Sequence, residues 1–202
     1  MHTNVAQWAM AAVGAALITG SGEALAPDEG AASCLPAEAA AAEATRLLVP
    51  PVEPSQQILV EHLSRRYYIA ADATRQMVGA AYRAAREVGL DPLLVLAVIA
   101  IESRFNPIAE SVMGAKGLMQ IIPKYHRAKL DEFGGEQAVL DPESNILVGA
   151  RILQEYVYRT GTLEGGLQFY NGAFWDGSAQ YAQKVMAERG RLESVVRSRG
   201  NI

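Results

Sequence analysis

Residues 91–102 read DPLLVLAVIAIE, and this run sets the architecture of the chain. Asp91 is a typical N-cap and Pro92 suits a first helical turn, so a helix begins here. The nine residues from Leu93 to Ile101 are all apolar. A helix that is apolar on every side is buried on every side, and this one is shorter than the roughly 20 residues of a membrane span. The run therefore predicts the central helix of a globular domain.

The same pattern places Glu102 at the C-terminal end of that buried helix. Partial desolvation raises the pKa of a carboxyl, and the negative end of the helix dipole acts in the same direction. A carboxyl that keeps its proton near neutral pH suits general acid catalysis. The helix pattern alone leaves open that Glu102 faces solvent or pairs with Arg104. Beyond it we predict a long irregular loop, from about residue 106 to 117.

Helical spacing continues on both sides of the central helix. Before it, a capping Asp72 and a terminating Gly89 enclose apolar residues at helical intervals. These are Met77, Ala80, Ala81, Ala84 and Val88. After it, Asp141-Pro142 repeats the Asp-Pro start, and Thr162 and Ser178 are further candidate caps. Alternating β-branched runs are absent from the sequence, so we predict an all-α domain.

Composition and charge exclude several classes of protein. Half of the 202 residues are hydrophobic and the net charge is −4, so the chain is neither disordered nor a basic nucleic-acid binder. A single cysteine, Cys34, excludes a disulfide within the chain. The three histidines lie far apart without a metal-ligand spacing. We predict no cofactor and no metal.

The N-terminus has the pattern of a secretory signal peptide. Val5–Ile18 is mostly apolar and is followed by Ala24-Leu25-Ala26, an A-x-A cleavage pattern. We expect a signal peptide over 1–26 and export to the periplasm or cell envelope, although no Lys or Arg precedes the apolar run and a retained short helix is the alternative. Residues 27–57, rich in Ala and Pro, predict a flexible linker before a domain at 58–202. Cys34 weakly resembles a lipid-attachment cysteine, but we expect an ordinary unpaired one.

Five short motifs follow one another in the C-terminal part. They are ESRFNP at 102–107, GAKGLMQ at 114–120, DPESNILVG at 141–149, FYNG at 169–172 and YAQKVM at 181–186. Together they closely resemble the signature of the lytic transglycosylases of glycoside hydrolase family 23, the soluble-type (SLT) domain. The resemblance covers roughly residues 73–190. It implies a lysozyme-like helical fold built around the central helix.

The resemblance also implies a reaction. Glu102 matches the single acid/base that cleaves the bond between N-acetylmuramic acid and N-acetylglucosamine in peptidoglycan and then forms a 1,6-anhydro end. One carboxylate serves both steps, unlike the paired carboxylates of most glycosidases. Glycan strands are the implied partner, and we expect a monomer; an envelope machine that the chain serves stays unspecified.

Six further positions match substrate-binding positions of the family: Ser111, Gly114, Met119, Gln120, Tyr170 and Asn171. The resemblance implies that the Tyr170 hydroxyl reaches the Glu102 carboxyl and that its loss disturbs Glu102 most. Structural roles compete at most of these positions, because Ser111 and Asn171 can cap loop or helix ends, the glycines can shape a turn, and Met119 can be core.

The FYNG motif and the residues that follow it also depart from the family pattern. Phe169 replaces a small residue, which implies a narrower pocket. Trp175 is a candidate sugar-stacking residue or a loop-packing one. Tyr181 is expected in the core, and Glu110 is expected to be solvated.

Two other functions remain open from the sequence. A goose-type lysozyme-like hydrolase would use water in place of the sugar hydroxyl. A non-catalytic glycan-binding module, serving an assembly machine, would not need the intact Glu102.

Overall fold

A computed structural model of the chain describes residues 53–200, and within that range it contains helices and no strand. The helices are α1 (Pro54–Tyr67), α2 (Ala71–Val88), α3 (Pro92–Glu102), α4 (Arg127–Asp131), α5 (Pro142–Thr160), α6 (Leu163–Tyr170) and α7 (Gln180–Gly200). Two 3-10 turns, Pro123–Tyr125 and Glu136–Leu140, flank α4. The all-α prediction is confirmed. The predicted signal peptide, Cys34 and most of the predicted linker lie outside the described residues.

Helix α1 begins before the predicted domain boundary at residue 58. Pro54 occupies its first turn after an extended Glu53, and Leu59, Val60 and Leu63 are buried. Proline is favoured at this position because it has no N–H to satisfy and its φ already suits a helix. None of the helices among residues 53–200 is long and apolar enough to cross a bilayer.

Helix α3 is the buried centre of the domain, as predicted. Its residues Leu94–Ala100 are all buried, and it packs against α7 and α2. Asp91 caps the helix, since its Oδ1 accepts a hydrogen bond of 2.9 Å from the Leu93 N–H. Each buried aliphatic side chain of this kind stabilises the fold by about 1.5–3 kcal/mol, so the apolar run fixes α3 in the core.

The predicted helix ends are confirmed at Gly89, Asp141 and Thr162. The predicted caps Asp72 and Ser178 are wrong. Gly89 adopts φ +71 and closes α2, while Asp141 and Thr162 accept hydrogen bonds from the first turns of α5 and α6. Asp72 stands within the first turn of α2 beside Arg75, after an uncapped Ala70. The Ser178 hydroxyl bonds Asp176 instead of α7.

Helices α1 and α7 are joined by a buried ion pair. Glu188 of α7 is only 2% exposed, and its Oε2 accepts hydrogen bonds from Arg66 of α1 at 3.2 Å and from Arg191 at 2.7 Å. A charge buried to this degree needs such partners. The pair therefore fastens α1 against the helix that also packs on α3.

Candidate active site

The carboxyl of Glu102 is half-buried at the end of α3. Its Oε1 accepts a hydrogen bond of 2.6 Å from the Tyr181 hydroxyl. No ion pair within residues 53–200 involves Glu102, and Arg104 is exposed. Burial raises the pKa of Glu102, and the Tyr181 hydrogen bond opposes that rise. The direction of this pKa shift agrees with the predicted proton-retaining acid. The Glu102 carboxyl is neither fully exposed to solvent nor paired with Arg104.

Tyr181, rather than Tyr170, is the tyrosine that holds the Glu102 carboxyl. Tyr181 is buried, as expected of a core residue, yet its hydroxyl reaches Glu102 because α7 packs along α3. The Tyr170 hydroxyl instead donates to the Met119 carbonyl at 2.8 Å. Burial and the neighbouring Glu102 carboxyl raise the pKa of both tyrosines, so both stay protonated donors.

The chain turns sharply after Glu102. Arg104 and Phe105 adopt positive φ values of 53° and 65°, a conformation that costs a residue with a Cβ about 1–2 kcal/mol. The turn buries Phe105, whose ring centroid lies 5.1 Å from that of Tyr67 in α1. Helix α3 ends at Glu102 because the residues of this turn leave the helical region. Burial of the Phe105 ring offsets the strain of the turn.

Ser111 and Gln120 hold the loop in which they stand. The Ser111 Oγ accepts a hydrogen bond of 3.0 Å from the Ala115 N–H, which is the loop-capping role. The Gln120 amide donates to the carbonyls of Ala109 and Gly117 at 3.1 and 3.0 Å. These bonds give the segment between α3 and the first 3-10 turn a fixed shape without regular strands.

Asn145 organises the GAKGLMQ segment and was not predicted as a site residue. It is 1% exposed, and its Oδ1 accepts from the Met119 N–H at 2.8 Å. Its amide donates to the carbonyls of Val139 and Lys116 at 2.8 and 3.1 Å. A buried amide needs such partners, and an asparagine directly before the apolar residues Ile146, Leu147 and Val148 is the signal that could have identified it.

Two glycines make room for these contacts. A Cβ on Gly117, which has φ +78, would lie 2.3 Å from Asn145 Nδ2. A Cβ on Gly149 would lie 2.5 Å from the Met119 sulfur. The absent side chain of Gly117 therefore gives Asn145 its space, and Met119 has a core side chain with its carbonyl bound by Tyr170. Gly114 has φ +79 and open space around it.

A cavity of about 210 Å³ brings three of the six predicted substrate positions together. Its lining includes Gln120, Ile122, Tyr125, His126, Tyr156, Phe169, Tyr170 and Asn171. Ser111, Gly114 and Met119 are not among the lining residues. Phe169 lines this cavity, and its ring centroid lies 4.6 Å from that of Tyr156.

Hydrogen bonds from Gln168 fix the loop between α6 and α7. This buried side chain donates to the carbonyls of Ala173 and Asp176 at 3.2 and 3.3 Å and accepts from the Ala182 N–H at 3.1 Å. Trp175 in the same loop is 90% exposed. The loop-packing role considered for Trp175 is thus filled by Gln168.

No second carboxyl contributes to the pKa shift of Glu102 among the described residues. Burial and the Tyr181 hydrogen bond account for that shift. Glu110 is exposed and lies 3.8 Å from the Lys116 Nζ. In the part of the chain that the structure describes, no group of three His, Cys, Asp or Glu side chains could hold a metal ion.

Residues 79–188 match the family model described as the transglycosylase SLT domain. The chain is 36% identical over 108 residues to a transglycosylase of Enterobacteria phage PRD1, covering 51% of this chain and 39% of that protein. It is 33% identical over 120 residues to membrane-bound lytic murein transglycosylase C of Edwardsiella ictaluri, covering 55% of this chain and 30% of that protein. The chain thus spans well under half the length of these relatives.

The fold is similar to that of a solved structure, an inactive mutant of the lytic transglycosylase Slt from Pseudomonas aeruginosa. The TM-score is 0.53 at 21% sequence identity, over 59% of this chain and 24% of that one. This likeness supports a shared helical fold.

Proposed function

Because the chain belongs to the family of transglycosylase SLT domains, we propose that it is a peptidoglycan lytic transglycosylase. It cleaves the β-1,4 bond between N-acetylmuramic acid and N-acetylglucosamine and leaves a 1,6-anhydromuramic end. One observation carries the proposal. Glu102 is the last residue of a buried helix, burial raises the pKa of its carboxyl, and the hydrogen-bond partner of that carboxyl is a neutral tyrosine.

In the first step, the neutral Glu102 carboxyl protonates the glycosidic oxygen. The Tyr181 hydroxyl donates to Oε1, so the acidic proton is carried by Oε2. Proton transfer from a positioned acid accelerates such a step by about 10²–10⁴-fold. The bond between C1 of the muramic sugar and the bridging oxygen breaks, and the N-acetylglucosamine side leaves as an alcohol.

In the second step, the Glu102 carboxylate takes the proton of the muramic 6-hydroxyl. The freed oxygen attacks C1 of the same sugar, which closes the anhydro ring and returns the proton to Glu102. No water is consumed. The Tyr181 hydrogen bond stabilises the carboxylate between the two steps, since a hydrogen bond to a charged group is stronger than one to a neutral group.

Digestion of purified peptidoglycan tests the proposal. Wild-type protein is expected to release fragments with anhydromuramic ends, each lighter by one water than the hydrolysis product. Glu102→Gln should release none while keeping its fold, because the amide has the shape of the acid but no acidic proton. Glu110→Gln is the matched control and should retain activity, since that acid is exposed and pairs with Lys116.

The products distinguish the alternatives. Reducing ends from wild-type protein would replace the transglycosylase by a lysozyme-like hydrolase. Sugar binding without any release would instead identify a glycan-binding module. Continued release by Glu102→Gln would refute the role of Glu102 itself.

We also propose that residues 1–26 direct export and that the chain acts in the periplasm or cell envelope as a monomer, with 27–53 as a linker. Relatives named membrane-bound murein transglycosylases support an envelope location. The mass of the protein recovered from a periplasmic extract should correspond to cleavage after Ala26. A full-length mass there, or recovery only from cytoplasm, would contradict this assignment.

A further inference from the structure

Trp175 is an exposed indole on a rigid loop. It lies between α6 and α7 and is 90% exposed. For an aromatic side chain of this size, burial against another surface is far more favourable than exposure to water. Its exposure is not explained by the packing of the domain, because Phe174 beside it is already half-covered and the loop is held by other groups.

The loop under Trp175 is fixed by hydrogen bonds before any ligand binds. Gln168 makes its three hydrogen bonds to Ala173, Asp176 and Ala182. The Asp176 N–H donates to the Ala173 carbonyl at 2.9 Å, and the Ala179 N–H donates to the Asp176 carbonyl at 3.1 Å. A binding group on a preformed loop loses little conformational entropy when its ligand arrives.

A series of aromatic rings connects Trp175 with the cavity. The Trp175 ring meets that of Phe174 edge-on at 5.1 Å, and Phe174 meets Phe169 at 5.6 Å. Phe169 meets Tyr156 at 4.6 Å, and Tyr156 lies 6.4 Å from Tyr170. Three rings therefore separate Trp175 from Tyr170, whose pKa responds to the Glu102 carboxyl.

We propose that Trp175, braced by Phe174, is a sugar-stacking platform that binds an N-acetylhexosamine ring of the glycan strand away from the bond that is cleaved. The inference rests on the proposed function, because continuity with the cavity identifies the glycan as the occupant. The apolar face of a pyranose ring suits a flat indole. Such a distal contact makes the enzyme prefer long strands to short ones.

Fluorescence offers a direct test, because the chain has only two tryptophans, Trp8 and Trp175. In a Trp8→Phe, Glu102→Gln protein, Trp175 is the single indole and no substrate is consumed. Titration with N-acetylglucosamine hexamer should change its emission and protect it from acrylamide quenching. The dimer should do so only weakly, since it is too short to occupy both the cavity and the platform.

Substitution gives the second arm of the test. Trp175→Ala should weaken hexamer binding about tenfold, as the loss of one stacking contact predicts, and leave dimer binding unchanged. Trp175→Phe should restore much of the affinity. Tyr158→Ala is the matched control, because Tyr158 is 84% exposed on α5 but makes none of the ring contacts found among residues 53–200.

Several outcomes would overturn the inference. Equal hexamer affinity for Trp175→Ala and wild type would do so, as would an emission that responds to protein concentration or to anionic lipid vesicles but not to sugar. Product analysis separates this failure from that of the proposed function. If Trp175→Ala digests short strands and leaves the same proportion of anhydromuramic ends as wild type, the proposed function stands even when the platform is refuted.

Discussion

At the scale of single residues, the reactivity of Glu102 is set by two opposing contacts. Burial raises the pKa of the carboxyl, and the hydrogen bond from Tyr181 lowers it again. In the proposed mechanism, burial favours proton donation, and the hydrogen bond favours the carboxylate that forms next. An acid/base that works alone needs both, because it changes charge twice in each turnover.

Tyr181→Phe should therefore change the pH dependence of the reaction as well as its rate. Without the hydroxyl, burial acts unopposed and the pKa of Glu102 rises. The neutral acid then persists to higher pH, so the alkaline limb of kcat/KM moves upward in pH. The maximum should fall roughly 10–100-fold because the carboxylate loses a hydrogen bond to a charged group.

Tyr170→Phe is the control for this experiment. Its hydroxyl binds the Met119 carbonyl, so activity should drop while the alkaline limb stays in place. A limb that moves in Tyr170→Phe but not in Tyr181→Phe would reinstate the assignment that family resemblance implied.

The choice between these two tyrosines marks where sequence reasoning stops. The apolar run at 93–101 predicts α3, its burial and the position of Glu102, since all of these follow from local periodicity. Which tyrosine reaches Glu102 depends on how α7 packs along α3, and that is a contact between residues 79 positions apart. The buried amides of Asn145 and Gln168 bond carbonyls of irregular loops, which have no periodic signal.

At the scale of elements, the first turn of α5 fixes the loop that follows α3 by hydrogen bonds. Asn145 binds the backbone at three points of the surrounding loops, and Gly117 and Gly149 provide the space. The DPESNILVG and GAKGLMQ motifs are thus two halves of one contact. Their occurrence in the same chain has a steric cause.

Gly117→Ala and Gly114→Ala should separate the steric cause from backbone strain. Both glycines have nearly the same positive φ, but only Gly117 is crowded. Gly114→Ala should cost about 1–2 kcal/mol of the free energy of unfolding, and Gly117→Ala roughly 2 kcal/mol more. Urea unfolding measures both, and equal losses would show that crowding by Asn145 has no weight.

At the scale of the whole domain, α1 lies outside the matched residues 79–188 and yet supports the site from two directions. Its Tyr67 packs on Phe105 in the turn after Glu102, and its Arg66 binds the buried Glu188 of α7. Helix α7 also carries Tyr181. The turn after α3 and the middle of α7 are therefore held by the same helix.

Arg66→Met should destabilise the domain by about 1–3 kcal/mol, because it removes one of two partners of a buried carboxylate. Arg65→Met is the matched control on the same helix. Its pair with Glu61 is exposed, so its loss should cost under about 0.5 kcal/mol. Thermal unfolding at neutral pH compares the two, and equal midpoints for both variants would contradict the importance of the buried pair.

The contacts made by α1 have a consequence for any fusion protein built from this domain. A fragment cut at residues 79 and 188 would discard Tyr67 and Arg66 and truncate α7 within its length. Phe105 would lose its contact with Tyr67, and Glu188 would become a chain end. A fragment that keeps α1 and the whole of α7 would retain both contacts, so the first helix belongs with Glu102 in any transferable form of the domain.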